Sequence, residues 1–84
     1  MTNKALVELM VPAADRTFDV FIPLDSRMSV VRTLISSVVN EMSEGKFKAN
    51  DSTVLCDPDS GAILDVNMLA TDLGIKNGSR LMLI

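Results

Sequence analysis

The stretch TFDVFIPLDSRMSVVRTLI, residues 17–35, changes its hydrophobic period at its middle. Over residues 17–22 every second side chain is apolar, which is typical of a strand with one buried face. Pro23 ends this strand because it has no N–H to donate to a ladder hydrogen bond. From Met28 onward apolar residues recur every three or four positions, as on one face of a helix. The stretch therefore predicts a strand that is followed closely by an amphipathic helix.

The helix is predicted to extend over about residues 27–44. Its buried stripe should contain the apolar residues spaced three and four apart, namely Met28, Val31, Ile35, Val38 and Met42. Asp25 or Ser26 is expected to cap its N-terminus, since either side chain can accept a bond from a free backbone N–H. Gly45 fits the left-handed position that commonly ends a helix.

The remaining elements can be placed on both sides of this stretch. They are a strand over 5–11, a short strand over 53–56, a turn over 57–61, a return strand over 62–64, one or two helical turns over 68–73 and a last strand over 79–84. This order predicts an α+β fold of the β-grasp type, in which a mixed sheet of four to five strands packs on one main helix. The last strand should pair parallel with the first.

Composition limits the size and the function of the chain. With 84 residues, 48% of them apolar, residues 1–84 are expected to form a single domain. The net charge of −3 and the absence of Trp and Tyr argue against nucleic-acid binding. No apolar run approaches the roughly 20 residues that span a bilayer, and no signal-peptide pattern follows the first residues. We therefore expect a cytoplasmic protein without direct membrane insertion.

No residue pattern indicates catalysis or a bound cofactor or metal. The chain has no His, and Ser36 and Ser37 have no base to activate them. Residues 57–61, DPDSG, begin like a calcium-binding EF-hand loop. However, the required Gly and Glu are replaced by Ala62 and Met68, so a hairpin turn explains the stretch better. The single Cys56 lies in a predicted strand and is interpreted as a packing residue. We predict no catalytic, cofactor-binding or metal-binding residue.

Lys46 and Lys48 flank Phe47 just after the predicted helix. They could form a small recognition site, but cations are also common near a helix C-terminus because of the helix dipole. The second explanation is preferred.

Nearly the whole chain resembles ubiquitin-like proteins. Residues 17–23, with the helical spacing that starts at Met28, are similar to ubiquitin's second strand and helix. Residues 69–84, LATDLGIKNGSRLMLI, are similar to its late short helix, turn and final strand. Within this superfamily the chain resembles small bacterial proteins encoded with type VII (ESX-like) secretion systems, the YukD/EsaB group. These proteins have about this length and a similar Ile-x-x-Gly-x-x-Leu ending, here residues 75–81.

The C-terminus departs from ubiquitin and from the β-grasp sulfur carriers. Those proteins continue past the last strand into a flexible tail that ends in Gly-Gly, whereas residues 82–84, Met-Leu-Ile, lie within the predicted strand and the sequence contains no Gly-Gly pair. The resemblance therefore implies the fold without the activity, and a protein modifier or sulfur carrier is disfavoured.

Strand alternation predicts an apolar surface on the open side of the sheet. Glu8 should face water, and its strand neighbours two positions away share its face. If the first strand lies between the second and the last, five residues gather there: Leu6, Met10, Phe21, Met82 and Ile84. Such a patch usually marks an interface, although scattered exposed apolar residues are also normal. The resemblance agrees, since ubiquitin's main recognition surface is on this sheet face.

These observations together predict a non-catalytic, cytoplasmic ubiquitin-like protein that acts by binding a protein partner. The resemblance implies an accessory or regulatory component of a bacterial type VII secretion system, docking on a cytoplasmic domain of the membrane machine. The alternative is a generic β-grasp adaptor, or a domain that self-associates into a homo-oligomer, unrelated to secretion. The neighbouring coding regions would distinguish the two.

Overall fold

Four strands and one main helix form the fold in a computed structural model that describes residues 3–45, 47–48 and 53–84. Lys46, one of the two lysines considered above, lies outside the described residues. In chain order the elements are β1 (Lys4–Val11), β2 (Arg16–Pro23), α1 (Met28–Met42), β3 (Leu55–Cys56) and β4 (Arg80–Leu83), with 3-10 turns at Pro12–Ala14 and Thr71–Leu73.

The sheet is mixed, with the strand order β2-β1-β4-β3. β1 and β2 form an antiparallel hairpin, and β4 pairs parallel with β1 and antiparallel with β3. A parallel pair needs a long crossover, which α1 and the segment that follows it provide. The predicted β-grasp arrangement, with a four-stranded sheet packed on one main helix, is confirmed.

The core lies between α1 and the inward side chains of the sheet. It is built from alternate residues of β1, β2 and β4, as strand geometry requires. The buried residues of these three strands are Ala5, Val7, Leu9, Val11, Phe18, Val20, Ile22, Leu81 and Leu83. The predicted inward and outward faces of these three strands are therefore confirmed.

The helix buries a slightly different stripe from the one predicted. Met28, Val31 and Ile35 are buried as expected, but the fourth buried residue is Val39. Val38 is half-buried at the flank, and 42% of Met42 is exposed. A spacing of 3, 4 and 4 residues follows the helical period of 3.6 more closely than the predicted spacing, which drifts off the sheet at the last turn.

The prediction of a side-chain cap at Asp25 or Ser26 is wrong. Arg27 is the N-cap and makes no side-chain cap hydrogen bond. The N–H of Met28 instead donates to the carbonyl of Met68 at 2.9 Å, and the N–H of Ser29 donates to the carbonyl of Val66 at 3.0 Å. A crossing chain segment therefore satisfies the free N–H groups that a cap would serve.

The other end of the helix lies about two residues earlier than predicted, since α1 ends at Met42 and its C-cap is Ser43. Gly45 has a φ of +81°, and its N–H donates to the carbonyl of Asn40 at 2.9 Å. Gly45 therefore has the predicted left-handed conformation, but the left-handed residue directly after the C-cap Ser43 is Glu44, with a φ of +57°.

The predicted return strand over 62–64 is reduced to a single bridge between Ile63 and Cys56. The chain turns away at Asp65, whose side chain accepts a hydrogen bond from the N–H of Asn67 at 2.9 Å. This turn leaves no length for a regular strand. The predicted strand over 53–56 is regular only at Leu55–Cys56, although Val54 and Ile84 also exchange two backbone hydrogen bonds at 2.8 and 3.0 Å.

The predicted helical turns over 68–73 are also shorter than expected. Only Thr71–Leu73 is helical, as a 3-10 turn that Gly74 ends with a φ of +78°. The N–H groups of Ala70 and Thr71 donate to the carbonyls of Ser26 and Leu24. These two N–H groups therefore pair with the segment before α1 and not with a helical turn of their own.

None of the helices in the described part of the chain has the length and apolar content needed to cross a membrane.

Candidate functional site: the outer face of the sheet

The side of the sheet that faces away from α1, here called the outer face, carries all five residues predicted to bind a partner. Phe21 is 64% exposed, Ile84 51% and Leu6 40%. Met10 and Met82 are half-buried. Strand alternation puts these side chains on this face because their strand neighbours fill the core.

The strand register divides the five residues into two groups. Leu6 lies opposite Phe21 in the antiparallel β1–β2 pair, and we call these two the Leu6–Phe21 patch. Met10 lies opposite Met82 in the parallel β1–β4 pair, and Ile84 follows on the same face two positions later. These three residues are called the methionine patch. The outer face therefore presents two apolar groups and not one continuous surface.

A row of charged residues separates the two patches. Glu8 lies opposite Asp19 on one side and opposite Arg80 on the other, so the three side chains cross the sheet in one line. Arg80 Nε is 3.6 Å from Glu8 Oε1. Asp19, Glu8 and Arg80 are called the charged row.

Arg80 is the centre of the electrostatics of this face. Its Nη1 lies 3.4 Å from Asp59 Oδ1, and its Nη2 lies 3.5 Å from the sulfur of Met10. One guanidinium thus contacts the carboxylates of Glu8 and Asp59, and Asp19 lies beyond Glu8 on β2, which leaves the middle of the face negative. The side chains of Arg80 and Glu8 are 48% and 47% exposed, so water and salt screen their attraction.

Hydrogen bonds with Asn77, Gly78 and Ser79 hold β1 beside the Leu6–Phe21 patch, and we call this group the polar clamp. The N–H of Leu6 donates to Asn77 Oδ1 at 2.7 Å, and the N–H of Gly78 donates to the carbonyl of Leu6 at 2.9 Å. The N–H of Glu8 donates to the carbonyl of Ser79 at 2.9 Å. Beside this clamp lies an open depression of about 400 Å³, lined by Leu6, Val7, Glu8, Asp19, Phe21, Asn77 and Gly78.

The sequence indicated Asn77 only as a turn residue. Its side chain takes the place of a backbone acceptor for β1, and this role depends on a contact between residues 71 positions apart. The Asn-Gly pair was the one local signal that could have drawn attention to it.

Cys56 lies opposite Met82 in the β3–β4 pair and is only 1% exposed. Burial, and to a smaller extent the carboxylate of Asp57, raises the pKa of its thiol above the ordinary value of 9.0. A raised pKa leaves little reactive thiolate at neutral pH. The structure thus agrees with its interpretation as a packing residue.

Phe47 does not present an exposed aromatic ring for recognition. It is 5% exposed, and its N–H donates to the hydroxyl of Ser43 at 3.1 Å. Asn40 Nδ2 donates to the Phe47 carbonyl at 2.8 Å. Phe47 therefore packs the chain after the helix onto the core.

Within the described residues, His, Cys, Asp and Glu side chains form no group of three or more that could hold a metal ion.

Comparisons with known proteins place this geometry among solved structures. No protein-family model matches the chain, and no curated protein matches it. The ubiquitin-like domain of the type VII secretion protein EccD1 from Mycobacterium tuberculosis is similar to 96% of this chain over 97% of its own, with 19% identity and a TM-score of 0.77. The EccD5 ubiquitin-like domain from Mycobacterium xenopi is similar to 98% of this chain over 93% of its own, with 26% identity and a TM-score of 0.80.

A third similarity is to a larger chain. In a structure of the ESX-5 inner membrane complex without MycP5, 21% of one chain is similar to 98% of this chain, with 22% identity and a TM-score of 0.75. The strand order, the single main helix and these similarities agree with one another. This chain is thus a ubiquitin-like β-grasp domain, and the solved structures that it resembles include ubiquitin-like domains of type VII secretion proteins.

Proposed function

We propose that this chain is a non-catalytic ubiquitin-like protein that works in a bacterial type VII secretion system by binding a protein partner. The observation that carries the proposal is the outer face, where Phe21, Leu6 and Ile84 are exposed on three adjacent parts of one sheet. Large exposed side chains that cluster on a rigid sheet are typical of a contact surface. The similarity to the EccD5 domain supports secretion as the setting.

The partner in this proposal is a cytoplasmic domain of the membrane-bound secretion machine. Similarity to part of a chain in the ESX-5 inner membrane complex supports a partner of this kind. The placement in the YukD/EsaB group and in the cytoplasm belongs to the same proposal and follows from the sequence resemblance.

The chemistry of the outer face indicates what kind of partner surface would fit it. Two apolar anchors should contact the Leu6–Phe21 patch and the methionine patch, and a basic side chain should lie between them. That basic group would face Glu8 and Asp19, whose charges Arg80 only partly balances. Methionine side chains adapt to irregular surfaces, which suits the second patch to such a contact.

A secretion assay tests this function. In bacteria that lack the chain, substrate export should change, and the wild-type chain should restore it. The variant Phe21→Asp should accumulate to the same level but fail to restore export. Val30→Asp is the matched control, because Val30 is 55% exposed on α1, away from the outer face. Unchanged export without the chain, or full restoration by Phe21→Asp, would contradict the proposal.

A further inference from the structure

Asn77 and Gly78 form the only Asn-Gly pair in the sequence, and both residues are held by Leu6. The Oδ1 of Asn77 accepts a hydrogen bond from the N–H of Leu6 at 2.7 Å. The N–H of Gly78 donates to the carbonyl of the same residue at 2.9 Å. Leu6 is thus hydrogen-bonded both to the side chain of Asn77 and to the N–H of Gly78, the two groups that could react with each other.

The reaction in question is the loss of ammonia from the Asn side chain. The backbone nitrogen of Gly78, after losing its proton, attacks Cγ of Asn77, and the bond from Cγ to Nδ2 breaks as ammonia leaves. Water then opens the resulting succinimide at either carbonyl, which gives aspartate or isoaspartate. Gly78 has no Cβ to hinder the approach, and water is the sole co-reactant.

We propose that Asn77 is a deamidation site whose reactivity is controlled by the contact with Leu6. The hydrogen bond from Leu6 fixes the side-chain carbonyl toward β1, and the second bond withdraws the Gly78 N–H from attack. Both bonds must open before the ring can close. Ring closure in the folded protein is therefore slower than in a free chain, in proportion to the fraction of time that the contact is open.

Deamidation changes the outer face whether or not a partner binds there. Asn77 lines the same depression as Glu8 and Asp19, so the product adds a carboxylate to a region that is already negative. The isoaspartate product also inserts a methylene into the main chain. This displaces Gly78 and Ser79, whose backbone groups hold Leu6 and Glu8.

The test compares deamidation in three samples at mildly alkaline pH, namely the folded protein, the protein in concentrated urea and a free peptide that copies residues 74–81. Peptide mass spectrometry locates the replacement of NH₂ by OH and separates aspartate from isoaspartate. We expect Asn77 to react first among the five asparagines in all samples that contain the whole chain. The folded protein should react at least about tenfold more slowly than the peptide, since the contact must open first.

Two further measurements use amide hydrogen exchange at Leu6. Exchange should accelerate in Asn77→Ala, which lacks the acceptor, and stay near the wild-type rate in Asn77→Asp, which keeps one. It should also accelerate in the purified isoaspartate form. Equal rates in the folded protein and the peptide, or earlier reaction at another asparagine, would overturn the proposal. None of these readouts requires a binding partner, so they test it independently of the proposed function.

Discussion

Glu8 and Arg80 face each other across the parallel β1–β4 pair and bring carboxylate and guanidinium to 3.6 Å at the centre of the outer face. About half of each side chain remains exposed, so the pair lies in contact with water. An exposed pair of this kind contributes little to holding the sheet together.

Removing the Glu8–Arg80 pair should have a small effect on stability. The coupling energy of an exposed ion pair is about 0–1 kcal/mol. A double-mutant cycle with Glu8→Ala, Arg80→Ala and the double variant measures this coupling by urea unfolding, at low and at high salt. A coupling energy above about 2 kcal/mol would show that the pair is a structural element of the sheet.

Ile35 should be essential to stability, whereas its neighbour Leu34 should not. Ile35 is 1% exposed beneath the sheet, so Ile35→Ala should lower the free energy of unfolding by about 2–5 kcal/mol. Leu34 is 42% exposed, and Leu34→Ala should cost less than about 1 kcal/mol. Chemical denaturation of both variants makes the comparison. Similar losses of stability for the two variants would show that the buried stripe of α1 has been assigned to the wrong residues.

Losing the side-chain acceptor of Asn77 should destabilise the fold modestly. The hydrogen bond to the Leu6 N–H contributes about 1 kcal/mol, and Asn77→Ala should reduce the free energy of unfolding by that amount. Asn77→Asp keeps an acceptor oxygen at this position and serves as the control. Thermal and urea unfolding can resolve the difference, and an equal loss for both variants would assign the effect to the turn itself.

Cys56 should make stability decline at alkaline pH. Because the pKa of its thiol is raised in the folded state, that state holds the proton more tightly than the unfolded chain does. The contribution is complete below about pH 8 and is lost as the pH rises through the folded pKa. Cys56→Ala, which cannot titrate, should show a shallower decline of the unfolding free energy above about pH 9. Identical slopes for the two proteins would mean that the thiol does not contribute.

Local sequence patterns predicted the elements that form independently of distant contacts. The alternation in β1 and β2 and the helical spacing from Met28 to Ile35 define which side chains are buried. The choice between Val38 and Val39 was not accessible in the same way, because both are apolar and lie near the same face. The helical period of 3.6 residues favours Val39 only slightly, and packing against the sheet completes the choice.

The sequence predicted which side of the sheet carries the candidate site, but not how its residues are arranged there. Alternation alone put Leu6, Met10 and Phe21 on the outer side. Their division into two patches depends on the register that sets Glu8 opposite Arg80, and register follows from pairing between residues 72 positions apart in sequence. The capping of α1 by the carbonyls of Val66 and Met68 could not be predicted from the sequence for the same reason.

The proposed binding by the outer face is tested most directly by measuring the affinity of the purified chain for cytoplasmic domains of a type VII secretion machine. Phe21→Asp and Met82→Asp should each weaken binding by about thirtyfold, equivalent to about 2 kcal/mol. Their melting temperatures should stay close to wild type, since Phe21 is 64% exposed and Met82 is half-buried on the open side.

The control for this measurement is Val30→Asp, which adds the same charge in the first turn of α1, where a carboxylate suits the helix dipole. Calorimetric titration should give a wild-type affinity for Val30→Asp beside the weakened affinities of the two outer-face variants. Wild-type affinity for folded Phe21→Asp and Met82→Asp would show that the outer face does not bind this partner.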